Sequence, residues 1–219
     1  MKKMKPNKLI MAFALVFASG ALFAACGAGG GAPEPPGDSN DGAETEAGAE
    51  TGAKTETGGE NPVVVMTIAD YGDIEIELDP AAAPISVENF LTLVDQGFYD
   101  GLTFHRIIPG FMIQGGDPAG TGAGPGSGKT IKGEFVENGW DNPISFKRGV
   151  IGMARTDDFN SASCQFFIMS FDKEHLDGQY AAFGHVLSGM EVVDEISAIP
   201  TDPNDRPNTP VVIESIRIK

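Results

Sequence analysis

Metal and redox chemistry have little to work with in this sequence. It holds two cysteines, three histidines and one tryptophan in 219 residues. No C-x-x-C and no H-E-x-x-H occurs, which argues against a structural zinc site or a metalloprotease. Neither a metal nor a cofactor is expected. There is no G-x-S-x-G elbow, so Ser127, His105 and the aspartates support no hydrolase reading. Positive charge is also scarce: 15 Lys and Arg stand against 31 Asp and Glu, a formal net charge of −16. Such a balance repels nucleic acid and anionic surfaces. It reads as a solubility device or a preference for basic clients.

Long hydrophobic runs are missing too. The longest, residues 9–23, falls short of the ~20 residues that a bilayer-spanning helix needs. It follows Lys2, Lys3, Lys5 and Lys8, and Ala24 and Ala25 separate it from Cys26. A basic start, a short apolar run and small residues describe an export signal over residues 1–25; a short membrane anchor is the alternative. Phe23-Ala24-Ala25-Cys26 resembles the lipobox of bacterial lipoproteins, although that family prefers Leu where Phe23 stands. The resemblance implies that Cys26 is lipidated and that the protein is anchored to the cell membrane, facing the extracytoplasmic side. Durable anchoring takes more than one acyl chain. With Cys26 acylated, Cys164 has no intrachain disulfide partner, and its apolar setting reads as core rather than nucleophile.

Residues 26–61 are mostly Gly, Ala, Glu, Thr and Pro, with no aliphatic side chain larger than alanine. Such a stretch cannot bury enough apolar surface to offset its ordering entropy, so a disordered tether is expected. As a random coil it would reach about 30–35 Å root-mean-square.

Residues 62–219 make an ordinary single domain. Residues 63–68 are β-rich, Asp70-Tyr71-Gly72-Asp73 supplies a turn, and residues 74–78 alternate apolar and acidic: a hairpin with one wet face. Pro84 opens a helix with Val87, Phe90, Leu91 and Val94 at helical spacing, and Gly97 ends it. Further strands are predicted near 103–107, 111–115, 149–154, 165–170, 182–187 and 211–218. Residues 190–198 read as a second helix burying Val192, Val193 and Ile196. Eight strands and two helices fit a mainly β, mostly antiparallel closed barrel; the pattern is equally compatible with a sandwich.

The most informative stretch is Phe104-His105-Arg106-Ile107-Ile108-Pro109-Gly110-Phe111-Met112-Ile113-Gln114-Gly115-Gly116-Asp117. It reads as strand, bend, strand, and period-two alternation puts Phe111 and Ile113 on one side, Met112 and Gln114 on the other. An arginine donor beside apolar area suits a neutral, proline-like ligand. Downstream stand Gly152-Met153-Ala154-Arg155, Ser163-Cys164-Gln165-Phe166-Phe167-Ile168 and Leu176-Asp177-Gly178-Gln179-Tyr180-Ala181-Ala182-Phe183-Gly184. These blocks, in this order, resemble the cyclophilin-type peptidyl-prolyl isomerases over residues 62–219. The segment from Ala123 to Thr130 mimics a phosphate-binding loop, but no helix start follows it. The family has a glycine-rich excursion here, bordering its binding groove.

The resemblance implies a closed eight-stranded antiparallel barrel capped by two helices, and isomerisation of X–Pro bonds in exported proteins that are folding. Carried over position by position, Arg106 matches the catalytic arginine. Phe111, Met112, Phe167 and Leu176 match the pocket for the proline ring. Gln114 matches the glutamine that helps hold Arg106 and the substrate. Ala154 and Arg155 fall where backbone pairs with the residue before proline, although Arg155 is asparagine in many eukaryotic members. Gln165, His175 and Tyr180 complete the substrate-binding set. His175 stands where cyclosporin-sensitive members carry tryptophan, which implies weak cyclosporin binding. Tyr180 replaces a frequent histidine. A proline-peptide holdase is the competing class, but it would not require the arginine.

Overall fold

Alternation sets the first hairpin. The computed structural model describes residues 61–123 and 126–219. The expected signal segment 1–25, the lipidation at Cys26 and the tether up to residue 60 lie outside the described residues. Strands β1 (Val63–Ile68) and β2 (Gly72–Leu78) pair antiparallel from Val63↔Glu77 to Ile68↔Gly72. Val64, Met66, Ile68, Ile74, Ile76 and Leu78 point into the core. The intervening residues carry the acids and face outward, as period two requires.

Helix α1 (Pro84–Asp95) starts at Pro84 as read from sequence, and Leu93 rather than Leu91 joins Val87, Phe90 and Val94 on its buried face. No side chain at Ala83 caps it. Instead the fully buried Glu134 accepts the N–H groups of Ile85 (2.8 Å) and Ser86 (2.7 Å) and the Ser86 hydroxyl (2.6 Å). A carboxylate at a helix N-terminus meets both the orphan donors and the positive end of the dipole.

Strands β3 (Arg106–Ile108), β4 (Met112–Gly115), β5 (Val150–Met153), β6 (Phe166–Met169), β7 (Ala182–Ser188) and β8 (Ile213–Ile218) complete the set, with helix α2 (Met190–Ser197) between β7 and β8. Val192, Val193 and Ile196 are buried on α2, as expected. All eight strands join one antiparallel sheet in the order β3-β4-β6-β5-β7-β2-β1-β8.

The sheet is an open half-barrel, which corrects the expected closed barrel. Its edge strands, β3 and β8, share no ladder. The outer edge of β3 is taken by a loop, the Ile107 N–H donating to the Asp205 carbonyl at 2.8 Å. The seam is spanned by irregular backbone just ahead of both strands. Phe104 N–H donates to Val211 O at 3.0 Å, Ile213 N–H to Leu102 O at 2.8 Å, and Thr103 bridges Val212.

The sheet has apolar residues on both faces. Inside, Phe90, Tyr99, Phe104, Phe166 and Phe183 lie within the main core. Outside, Met112, Phe146, Val150, Phe167, Met169, Leu176 and Ala182 form a separate cluster. Adjacent residues therefore serve opposite faces: Phe166 faces the core, Phe167 the outer cluster.

Candidate active site

That outer cluster forms one wall of a cavity of about 190 Å³ lined by Arg106, Phe111, Met112, Gln114, Ala154, Arg155, Phe167, Leu176 and Tyr180. The chain's path explains the assembly. Strand β4 presents Met112 and Gln114 from alternate positions, and its neighbour β6 presents Phe167, the Cα partner of Gln114. Strand β3 places Arg106 opposite Gln114 on the other side. Leu176 enters from the short 3-10 turn Glu174–Leu176.

Phe111 departs from the expected alternation. It precedes β4, at a bend where Gly110 has φ +73°, a left-handed conformation that favours glycine. The bend turns the Phe111 ring onto the same side as Met112 and Gln114, while Ile113 alone goes to the core. The Phe111 carbonyl accepts Ser170 N–H at 3.0 Å, which ties the bend to the end of β6.

Phe167 is held from below and from the side. Phe146 stacks on it at 5.5 Å, and Tyr180 meets it edge-on at 5.8 Å. Gly152 makes room for this stack: a Cβ there would lie 2.7 Å from the Phe146 ring and 2.8 Å from the Phe167 ring. Behind Tyr180, the Arg155 guanidinium lies over three rings, at 4.7 Å from Tyr180, 4.9 Å from Phe159 and 5.0 Å from Phe135. It also donates to Gln179 O at 3.0 Å and Thr156 O at 2.8 Å. Arg155 is thus a fixed strut whose side chain is committed to the protein.

Gln114 does not bond Arg106. Its amide donates to Gln165 Oε1 at 2.9 Å, and Gln165 in turn donates to Gly122 O at 3.3 Å. Gln165 lies outside this cavity, in an adjoining one of about 410 Å³ that shares Gln114, Ala154 and Arg155 with it. Ala154 already gives its N–H to Gln165 O at 2.9 Å, so its backbone has no donor left for a further partner. His175 does not line the cavity; it is exposed at the rim, 6.5 Å from the Phe111 ring. Lys173 Nζ lies 5.8 Å above that ring.

Sequence reasoning missed three supports. Asp205 accepts Arg106 Nε at 3.3 Å, from 99 residues away. Phe146, an isolated aromatic in sequence, carries Phe167. Asp117 pins the glycine-rich excursion by accepting the N–H groups of Ala119, Thr121 and Gly122. Burial alone would raise the Asp117 pKa, but these backbone donors and His105 outweigh it and hold it below the ordinary 3.8. Only the acidic end of the Gly-Gly-Asp motif hinted at this. Cys164 is fully buried, and burial raises its thiol pKa, as suits a core residue.

A sequence model of the family described as cyclophilin type peptidyl-prolyl cis-trans isomerase/CLD matches residues 63–218. Peptidyl-prolyl cis-trans isomerase A of Dickeya dadantii is 43% identical over 163 residues, covering 70% of this chain and 83% of that protein. Peptidyl-prolyl cis-trans isomerase B of Bacillus subtilis is 47% identical over 130 residues, 59% of this chain and 87% of the relative. Among solved structures, a cyclophilin type peptidyl-prolyl cis-trans isomerase of Cryptosporidium parvum, crystallised in the presence of the dipeptide Ala-Pro, is similar at a TM-score of 0.65 and 32% identity. The match covers 72% of this chain and 98% of that one.

Proposed function

The chain belongs to the cyclophilin-type peptidyl-prolyl cis-trans isomerase family, and from that premise we propose that the cavity beside Arg106 seats the proline of its substrates. Its activity is cis-trans isomerisation of X–Pro peptide bonds. The observation that carries the site assignment is the pairing of an apolar socket with a guanidinium. Arg106 spends only Nε on a protein acceptor among the described residues, at the edge of a wall made by Phe111, Met112, Phe167 and Leu176.

Rotation about a peptide bond faces a barrier of about 18–20 kcal/mol, because the C–N bond has partial double-bond character. Twisting it localises the lone pair on the prolyl nitrogen, which becomes a better acceptor. An Arg106 N–H aimed there stabilises the twisted form more than the planar one, which is what catalysis demands. A guanidinium is charged at any working pH, so no tuned acid or base is required. The apolar socket holds the ring while the preceding carbonyl swings, and dry surroundings favour the less charge-separated twisted amide. A rate gain of about 10⁵ corresponds to roughly 7 kcal/mol. One charged hydrogen bond supplies about 1.5–3 kcal/mol. Positioning and desolvation carry the remainder.

The test of the socket is a titration with an Ala-Pro peptide followed by NMR. Shifts confined to Phe111, Met112, Phe167 and Leu176 support it; shifts confined to another face sink it. The cellular setting follows from residues 1–61: export, lipidation at Cys26 and work on folding proteins outside the cytoplasmic membrane. Cys26→Ser should then move the protein from the membrane to the soluble fraction with its isomerase activity intact, and continued membrane retention would contradict the anchor. Because His175 occupies the rim position where sensitive relatives carry tryptophan, cyclosporin should inhibit only weakly; tight inhibition would refute that role.

A further inference from the structure

Asp205 is joined to β3 by two contacts. Its carbonyl accepts the Ile107 N–H at 2.8 Å, and its carboxylate accepts Arg106 Nε at 3.3 Å. The loop that presents it is braced from within. The Asp202 carboxylate accepts the N–H groups of Asn204 (2.7 Å) and Arg206 (3.0 Å), and the Asp202 N–H donates to Arg206 O at 2.8 Å. The Asp205 N–H donates to Asp202 O at 3.0 Å, and Thr201 bridges Pro207.

The backbone at Asp205 is the unusual feature. Its φ is +64°, and the only other described non-glycine residue with positive φ is Asp70, in the β1–β2 turn. Glycine adopts this conformation without steric penalty. Aspartate is among the few other residues that adopt it, and here the conformation accompanies a carboxylate that reaches Arg106. Its pairing with Arg106 is exposed, at 44% and 40% of the two side chains. Exposed pairs of this kind contribute little to stability. What the contact does is geometric: it occupies Nε and leaves the two terminal nitrogens without a protein acceptor among the described residues.

We propose that Asp205 is the positioning residue of the isomerase site, holding the Arg106 guanidinium so that its terminal N–H groups face the proline socket. This rests on the assignment of Arg106 as the donor to the substrate. The arginine is paired with an acid on a loop, not with the glutamine on β4 that its motif suggests.

The test is a double-mutant cycle on the full chain, with kcat and KM measured on an Ala-Pro peptide. Asp205→Gly relieves the backbone and removes the carboxylate. Its kcat should fall about five- to tenfold, while KM stays within twofold and the melting temperature does not drop. Asp205→Asn, which keeps an acceptor oxygen, should recover part of that loss. In an Arg106→Ala background, Asp205→Gly should change kcat no further, because the aspartate acts only through the arginine. If Asp205→Gly keeps kcat within twofold of the parent while Arg106→Ala is crippled, the positioning role is wrong and the arginine assignment stands. If the Asp205→Gly loss persists undiminished without the arginine, the residue is merely structural and the proposal fails. An Arg106→Ala protein of near-normal activity would instead overturn the assignment on which the proposal rests.

Discussion

The Arg155 guanidinium lies 4.7 Å from the centre of the Tyr180 ring, and Tyr180 stands edge-on to Phe167 at 5.8 Å. A cation in the cavity lining thereby holds the ring that shapes its wall. Cation–π contacts contribute about 0.5–2 kcal/mol each, according to exposure. Arg155→Ala should destabilise the protein by about 1–2 kcal/mol and raise KM more than it lowers kcat. Denaturant unfolding and peptide kinetics would check both; an unchanged KM would show that the stack does not govern the socket.

Gly152 should tolerate no side chain. A methyl group there would sit within 2.8 Å of both the Phe146 and Phe167 rings. Overpacking of this kind costs about 1–3 kcal/mol. Gly152→Ala should also displace the Phe167 ring and reduce kcat/KM about tenfold. A crystal structure of the variant with Phe167 unmoved would contradict the prediction.

Glu134 should matter for stability and not for catalysis. It is the acceptor for the first donors of α1 and lies far from Arg106 in sequence, on no cavity wall described for the socket. Glu134→Ala should lower stability by about 3 kcal/mol, since a buried charged acceptor is lost and its donors are orphaned. Activity per folded molecule should stay within twofold. A large kinetic loss in fully folded protein would mean that α1 positions the site.

His105 should make stability fall under mild acid. It is 6% exposed, and neither ring nitrogen has a partner among the described residues. Burial lowers its pKa below 6.5, and the nearby Asp117 carboxylate only partly offsets that. The unfolded chain therefore binds a proton that the folded chain refuses. Stability is full above about pH 6.5 and declines as pH falls towards the depressed folded value. Asp117, with its pKa below 3.8, adds its own loss only at still lower pH. His105→Leu should flatten the stability profile below about pH 6.5; a profile as steep as the parent's would refute the assignment.

Much of this fold could be read before any coordinates. The β1–β2 hairpin, the start of α1 at Pro84 and the buried face of α2 follow from period and punctuation alone, because local sequence decides them. Barrel closure could not be read so. Whether β3 and β8 pair depends on a loop 99 residues from Arg106 that takes the Ile107 N–H first. The socket residues were legible through their motif blocks. Their braces were not: Asp205 and Phe146 act on Arg106 and Phe167 across long sequence separations and carry no local signal. Alternation alone puts Phe111 on the wrong face, because the Gly110 bend interrupts it, while the motif resemblance puts it beside Met112.

The central claim is that Arg106 catalyses by donating to the twisting prolyl amide while the apolar socket holds the ring. The most direct test is the cis-to-trans rate of an Ala-Pro peptide with the parent protein and Arg106→Ala, both shown to be folded by circular dichroism. The account predicts a loss of two to three orders of magnitude in kcat/KM, about 3–4 kcal/mol at roughly 1.4 per tenfold, with residual activity from the socket and unimpaired binding of the peptide. Near-normal kcat/KM in the variant would contradict the arginine mechanism.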